Sequence, residues 1–68
     1  MEKEELKELL EMYIVSGFEH VELELTGNRV ISINLNKYKY GFNTGCFWFG
    51  GDGVNTSIDY RAIKSVAI

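Results

Sequence analysis

The apolar positions in the first part of the chain recur at helical spacing. Four of them follow the i, i+3, i+4, i+7 pattern, which places them on one face of an α-helix: Leu6, Leu9, Leu10 and Tyr13. The glutamates that open the segment lie where the helix dipole favours anions, and Gly17 suits a C-terminal stop. The pattern predicts a helix over residues 2–16. Because so short a helix is marginal alone, its apolar stripe must pack on the rest of the chain.

Beyond Gly17 the apolar period changes to two, which indicates β-strands with one wet face. Apolar side chains alternate with polar ones on two segments: Val21, Leu23 and Leu25 on the first, and Ile31, Ile33 and Leu35 on the second. Between them, residues 26–29 form a turn in which Gly27 and Asn28 tolerate a positive φ. The two segments therefore predict a β-hairpin.

The apolar positions then switch from odd to even numbers, at Tyr38, Tyr40 and Phe42. A switch of face near residues 36–37 predicts a bulge or a sharp bend, which is one device that curls a sheet. Further along we expect an apolar strand at residues 46–49, a glycine-rich loop at 50–53 and a fourth strand at 54–60. A brief turn at residues 62–64 then leads into a last strand at 65–68. We expect the 46–49 strand to be covered on both sides.

This order of elements resembles that of Sm-like proteins, which are small SH3-like barrels. Residues 21–30 look like the opening strand and turn of that family, and residues 60–66 look like its closing Tyr-basic-x-Ile-x-x-Val segment. The resemblance implies a ring-shaped oligomer that pairs edge strands and binds RNA. The chain departs from the family at two positions. Ser32 stands where the second strand of Sm-like proteins has a glycine that permits bending, and Ala62 stands where the bacterial Sm-like RNA chaperone has a histidine.

The predicted fold is α+β, in one domain over residues 1–68. A helix at about 2–16 is followed, at about 19–68, by a strongly bent four- or five-stranded antiparallel sheet that forms an SH3-like or Sm-like small barrel. A core of this size is marginal. One cysteine and one histidine give neither an internal disulfide nor a four-ligand zinc site. We therefore expect a homo-oligomer, and no metal or cofactor.

The composition also bears on where the protein acts. No apolar run approaches the roughly 20 residues of a membrane span, and the acidic N-terminus lacks the features of a signal peptide. A single thiol fits a reducing compartment. We expect a cytoplasmic protein of a bacterium or of a phage-infected cell, with no membrane partner.

Charge is distributed unevenly along the chain. Residues 1–24 carry eight carboxylates against two lysines, a net charge of −6, while residues 25–68 carry two carboxylates against five cations, a net charge of +3. The asymmetry is typical of a charged partner or of head-to-tail association, and equally of a helix face that carboxylates merely solvate. The helix carboxylates that are candidates for partner binding are Glu4, Glu8 and Glu11.

Few side chains in the sequence could form a catalytic site. Cys46 lies in an apolar run, where we expect an inert core thiol, and nothing in the sequence brings it to His20. Glu22 and Glu24 share a strand face and are either a carboxylate pair or an exposed surface. Residues 50–53 lack the Gly-Lys-Ser/Thr and the following helix of a phosphate loop. We therefore do not expect an enzyme.

The most informative segment interleaves aromatic and basic residues, at 37–42, and an aromatic run follows at 47–49. Aromatic rings stack on bases and lysines contact phosphates, but Tyr and Trp also anchor protein interfaces and fill cores. The candidates for binding are Tyr38, Lys39, Tyr40, Trp48 and Arg61. The leading hypothesis is a non-enzymatic, oligomeric adaptor or inhibitor that binds a larger protein. The alternative is an Sm-like oligomer that binds RNA or a nucleotide-like ligand, against which the overall acidity weighs.

Overall fold

The computed structural model describes all 68 residues and contains one α-helix and six strands. In chain order the elements are α1 (Lys3–Val15), β1 (His20–Leu25), β2 (Arg29–Asn34), β3 (Lys39–Phe42), β4 (Cys46–Gly51), β5 (Val54–Asp59), a 3-10 helix (Tyr60–Ala62) and β6 (Ile63–Ala67). The strands form two three-stranded antiparallel sheets, in the orders β2-β1-β6 and β3-β4-β5. The α+β class with an N-terminal helix is confirmed. In place of one sheet of four or five strands there are six strands in two sheets.

The predicted bent strand is divided into β2 and β3 by local hydrogen bonds of Asn34. The backbone N–H groups of Asn36 and Lys37 donate to its side-chain oxygen at 2.9 and 3.0 Å, and the N–H of Tyr38 donates to its carbonyl at 3.0 Å. Side chains of this kind compete with the ladder for backbone partners and favour turns. The turn sends the two halves of the segment into different sheets, at the place where the apolar positions change parity.

Helix α1 begins and ends one residue inside the predicted bounds. It stops where expected, because Gly17 adopts a φ of 89° and its N–H donates to the carbonyl of Ile14 at 3.0 Å. Leu6 and Leu10 are fully buried, which confirms that the leucine stripe faces the core. At 13 residues, α1 is neither long nor apolar enough to cross a bilayer.

Contacts at both ends of α1 fix it along the 3-10 helix and β6. The amino group of Met1 donates to the carbonyls of Tyr60 and Ile63 at 3.0 and 2.9 Å. Twelve residues later, the hydroxyl of Tyr13 donates to the carbonyl of Val66 at 3.4 Å. The helix is therefore held in one orientation against the sheet of β1, β2 and β6.

The core lies between the two sheets and α1. It has twelve buried members, which come from the helix, from the inward positions of both sheets, from the turn after β2 and from the 3-10 helix: Leu6, Leu10, Val21, Leu23, Leu25, Ile33, Leu35, Phe47, Phe49, Ile58, Tyr60 and Ile63. Phe47 lies among other aromatic rings, with centroids 5.3 Å from Phe42 and 6.2 Å from Tyr40 and Phe49. The alternation predicted for β1 is confirmed, since Val21, Leu23 and Leu25 are its buried residues.

Two tight turns use residues with positive φ, which the sequence predicts for the first of them, at Gly27 and Asn28. Gly27 and Asn28 join β1 to β2 with φ values of 80° and 59°, and Asp52 and Gly53 join β4 to β5 with values of 51° and 82°. Residues 50–53 therefore belong to a β-hairpin. The last strand begins at Ile63, two residues earlier than predicted, because the preceding turn is the 3-10 helix.

Candidate functional site

One face of α1 carries the three helix carboxylates singled out by the sequence. Glu4, Glu8 and Glu11 follow the i, i+4, i+7 spacing, and all three are exposed on the side opposite the buried leucines. The ion pairs of the molecule lie elsewhere, between Lys37 and Asp52 and between Arg61 and Asp59. The acidic helix face, as we call these three residues, therefore presents carboxylates that form no ion pair within the chain.

The end of α1 exposes apolar side chains that the sequence reasoning missed. Four large apolar residues are exposed there, and we call them the apolar end: Met12 (52% exposed), Ile14 (41%), Val15 (86%) and Phe18 (42%). Helical spacing puts Met12 one turn beyond Glu8 and Val15 one turn beyond Glu11, so the apolar end continues the acidic helix face. The sequence signal was the presence of apolar residues outside the leucine stripe.

The aromatic candidates do not form one surface. Tyr38 and Tyr40 are half-buried and turned towards the core, with ring centroids 6.0 Å from Phe49 and 6.2 Å from Phe47 respectively. Trp48 is on the opposite side of β4 from Phe47 and Phe49, which are buried, and is half-buried on the outer face of its sheet. Strand alternation separates the tyrosines from the tryptophan.

Trp48 lies across Gly41, its partner in the β3–β4 register. A Cβ atom added to Gly41 would lie 2.5 Å from the indole Nε1, so the missing side chain is what makes room for the ring. Lys39 is exposed on the same outer face, opposite Gly50. One aromatic ring and one lysine thus share this face.

Arg61 is exposed but its charge is matched within the chain. Its Nη2 and Nε donate to the carboxylate of Asp59 at 2.8 and 3.2 Å, and its backbone N–H donates to the same carboxylate at 2.9 Å. The side-chain hydrogen bond from Arg61, followed by the backbone one, lowers the pKa of Asp59 to about 2. The guanidinium is committed to this local pair, which also caps the 3-10 helix.

Glu22 and Glu24 lie on the outer face of the first sheet. They line an open groove of about 210 Å³ together with Val30, Ser65 and Ala67. The hydroxyl of Ser65 donates to Glu24 Oε1 at 3.1 Å. The two carboxylates therefore form part of an open surface.

Cys46 and His20 are placed in different sheets. Cys46 is half-buried at the start of β4 and is not a member of the core, contrary to the expectation. It shares the parity of Trp48, so it faces outward while Phe47 faces inward. The strand is accordingly buried on one side only, and not covered on both sides as predicted. His20 is exposed at the start of β1, where its Nε2 lies 3.4 Å from the amide nitrogen of Asn34.

The arrangement of these side chains offers surfaces for contact. The acidic helix face and the apolar end form adjoining surfaces on α1 and the residues just after it, and Trp48 with Lys39 forms another surface on the β3-β4-β5 sheet. No group of three or more His, Cys, Asp or Glu side chains is close enough to hold a metal ion. No family model, no curated protein and no solved structure matches this chain.

Proposed function

We propose that this chain is a non-enzymatic interaction module, an oligomeric adaptor or inhibitor that binds a larger protein through the acidic helix face. The observation that carries the proposal is the alignment of Glu4, Glu8 and Glu11, exposed and unpaired, on a helix whose other face is buried. Carboxylates fixed in a row present a defined negative surface, which steers a basic partner into register and raises the association rate.

The rigidity of the helix supports this proposal. Leu6 and Leu10 are buried in the core, and the hydrogen bonds of Met1 and Tyr13 hold the two ends of α1 to neighbouring backbone. A preorganised surface loses less conformational entropy on binding than a mobile one. The acidic helix face is therefore suited to recognition, beyond its effect on solubility.

The oligomer and the barrel belong to the same proposal. The two sheets enclose one core and are joined by a 3-10 turn between β5 and β6, an outline that Sm-like barrels share. Strands β5 and β6 each pair with one neighbour only, and an unpaired strand edge is a template for another chain. We propose that copies of this small barrel associate through these edges in the cytoplasm.

A second candidate function is the binding of RNA or a nucleotide-like ligand by the oligomer. Its specific support is Trp48, which faces outward beside Lys39 and offers a stacking surface next to a cation. The pairing of Arg61 with Asp59 and the net charge of −3 weigh against it, because nucleic-acid sites are strongly basic. We therefore place it behind the protein-binding module.

Charge reversal tests the leading proposal. The variant Glu4→Lys/Glu8→Lys/Glu11→Lys is expected to lose a partner protein that immobilised wild type captures from cell extract. The matched control places the same change of net charge on another surface, through two reversed carboxylates and two exposed turn threonines: Glu22→Lys/Glu24→Lys/Thr26→Lys/Thr44→Lys. Capture that survives in the first variant, or is lost equally in both, would rule out the acidic helix face as the contact.

Light scattering on a sizing column tests the oligomer and the second candidate together. We expect a single defined mass above that of the 7.8 kDa monomer, at both low and high salt. An excess of absorbance at 260 nm in that peak would favour the nucleotide-like ligand. A stable monomer at all concentrations would exclude the ring.

A further inference from the structure

We infer that the apolar end of α1 is the docking surface for a basic amphipathic segment of a partner protein, meaning one whose apolar side chains are flanked by lysine or arginine. The inference rests on the proposed function and deepens it, since it names the chemistry of the partner and the site at which its apolar side chains insert. The acidic helix face would then meet the cations of that same segment.

Exposed apolar side chains are concentrated in this region of the molecule. Seven large hydrophobic residues are exposed, and four of them form the apolar end. A fifth, Ile68, follows two residues after Val66, whose carbonyl accepts the hydroxyl of Tyr13 at the same end of the helix. Scattered single apolar residues are normal on a protein surface, whereas a group of them rimmed by polar residues marks a binding surface.

The apolar end is held in place before any partner arrives. The rings of Tyr13 and Phe18 meet edge to face with centroids 6.0 Å apart. The N–H groups of Gly17 and Phe18 donate to the carbonyls of Ile14 and Tyr13, both at 3.0 Å. The chain just after the helix is therefore fixed, and the apolar side chains that project there do not need to be ordered by the partner.

Charge determines which kind of partner fits. Glu8 and Glu11 lie one turn before the apolar end, Glu19 follows Phe18, and the last turn of α1 has no basic residue. The negative end of the helix dipole therefore adds to the carboxylates. A second copy of the chain docked face to face would bring like charges together, whereas a segment with flanking cations is complementary. Charge complementarity therefore identifies a basic segment, and not a second copy of the chain, as the partner of the apolar end.

A synthetic peptide of leucine and lysine, arranged so that all leucines share one helical face, is the probe for this site. We expect the purified full chain to bind it in titration calorimetry, and to bind a peptide of the same composition in scrambled order more weakly. The variant Met12→Gln/Val15→Gln removes the two most exposed side chains of the apolar end. Its affinity for the probe is expected to fall at least about tenfold, through lost apolar burial.

Val30→Thr provides the matched control. Val30 is 56% exposed and lies beside Glu22 and Glu24, so it is another exposed apolar residue next to carboxylates. Its replacement by the isosteric threonine is expected to leave the affinity unchanged. An equal loss in both variants would mean that the probe binds any acidic apolar surface, and would overturn the inference.

Three further outcomes would also overturn it. The first is full affinity in Met12→Gln/Val15→Gln. The second is a dimer of the wild-type chain that this variant dissolves, which would assign the apolar end to a second copy. The third is binding to neutral lipid vesicles that the variant abolishes.

Loss of protein capture after reversal of Glu4, Glu8 and Glu11, with normal peptide binding by the double variant, would reject the docking surface and leave the proposed function standing. Capture retained after that reversal would reject the proposed function itself.

Discussion

Replacing Gly41 by alanine is expected to displace Trp48 from the outer face of its sheet. An ideal Cβ at position 41 would lie 2.5 Å from Nε1, 2.8 Å from Cε2 and 2.9 Å from Cζ2 of the indole. Carbon atoms in favourable contact are about 3.5–4.0 Å apart, so the ring must move by about 1 Å or rotate away. Because Trp48 is half-buried on an outward face, it has open space into which to move.

The cost of that displacement follows from the contact that is lost. An aromatic side chain buries about 150–250 Å², of which one face of an indole accounts for roughly 70 Å². Loss of the contact on that face should cost about 2 kcal/mol. The gain from restricting the unfolded chain on a Gly-to-Ala change offsets about 0.4–1 kcal/mol of it. The free energy of unfolding should therefore fall by about 1–1.5 kcal/mol. For a chain of 68 residues this lowers the Tm by about 7–10 °C.

Two readouts and a matched variant test this reasoning. Trp48 is the only tryptophan, so a shift of its emission to longer wavelength reports directly on exposure of the indole. Gly45→Ala is the control, because nothing lies within 4 Å of its added Cβ and its φ is not positive. We expect Gly45→Ala to match or exceed the wild-type Tm. A Gly41→Ala protein with unshifted emission and the Tm of the control would refute the proposed seating of Trp48 on Gly41.

Three further predictions concern the core and two titratable groups. Phe47→Ala empties a fully buried site and should lower the free energy of unfolding, measured in urea, by about 3–5 kcal/mol. That loss is a large fraction of the total of about 3–10 kcal/mol expected for a chain of this length. The pKa of Asp59 is lowered to about 2 from 3.8, so the carboxylate contributes stability above pH 3.8 that is lost as pH falls towards 2. The difference in unfolding free energy between wild type and Asp59→Asn, measured in urea, should therefore close between pH 5 and pH 2. A difference that stays constant over this range would contradict the pairing with Arg61. Burial raises the pKa of Tyr60 above 10, so its contribution is present below pH 10 and is lost as pH rises through the folded-state value. Tyr60→Phe should flatten that alkaline loss, and at neutral pH should cost about 0.5–1.5 kcal/mol through the 2.7 Å hydrogen bond to the Asn43 carbonyl.

Local periodicity accounts for what the sequence predicted well. The leucine stripe predicts the buried face of α1, and the alternation of Val21, Leu23 and Leu25 predicts the inward side of β1. Spacing along a single helix or strand sets which side chains share a face, so neighbours in sequence are enough to determine it. The outward position of Glu4, Glu8 and Glu11 was predictable for the same reason.

Other features depend on which segments meet. The sequence predicts a bend near residues 36–37, but the bonds to Asn34 decide that β2 and β3 join different sheets. Cys46 and Trp48 lie in an unbroken apolar run, in which nothing local says which side faces the core. Only the pairing of β4 with β3 and β5 turns Phe47 inward and places Trp48 over Gly41.

The sequence by itself determined the α+β class, the helix and its two faces, and the turns where glycine or asparagine takes a positive φ. The tertiary structure alone decided the number of sheets, the separation of Tyr38 and Tyr40 from Trp48, the pairing of Arg61 with Asp59, and the exposure of the apolar end. The physical reason is that exposure and pairing depend on contacts between residues far apart in sequence. A periodic pattern records which side of an element is apolar, and packing determines whether that side is covered.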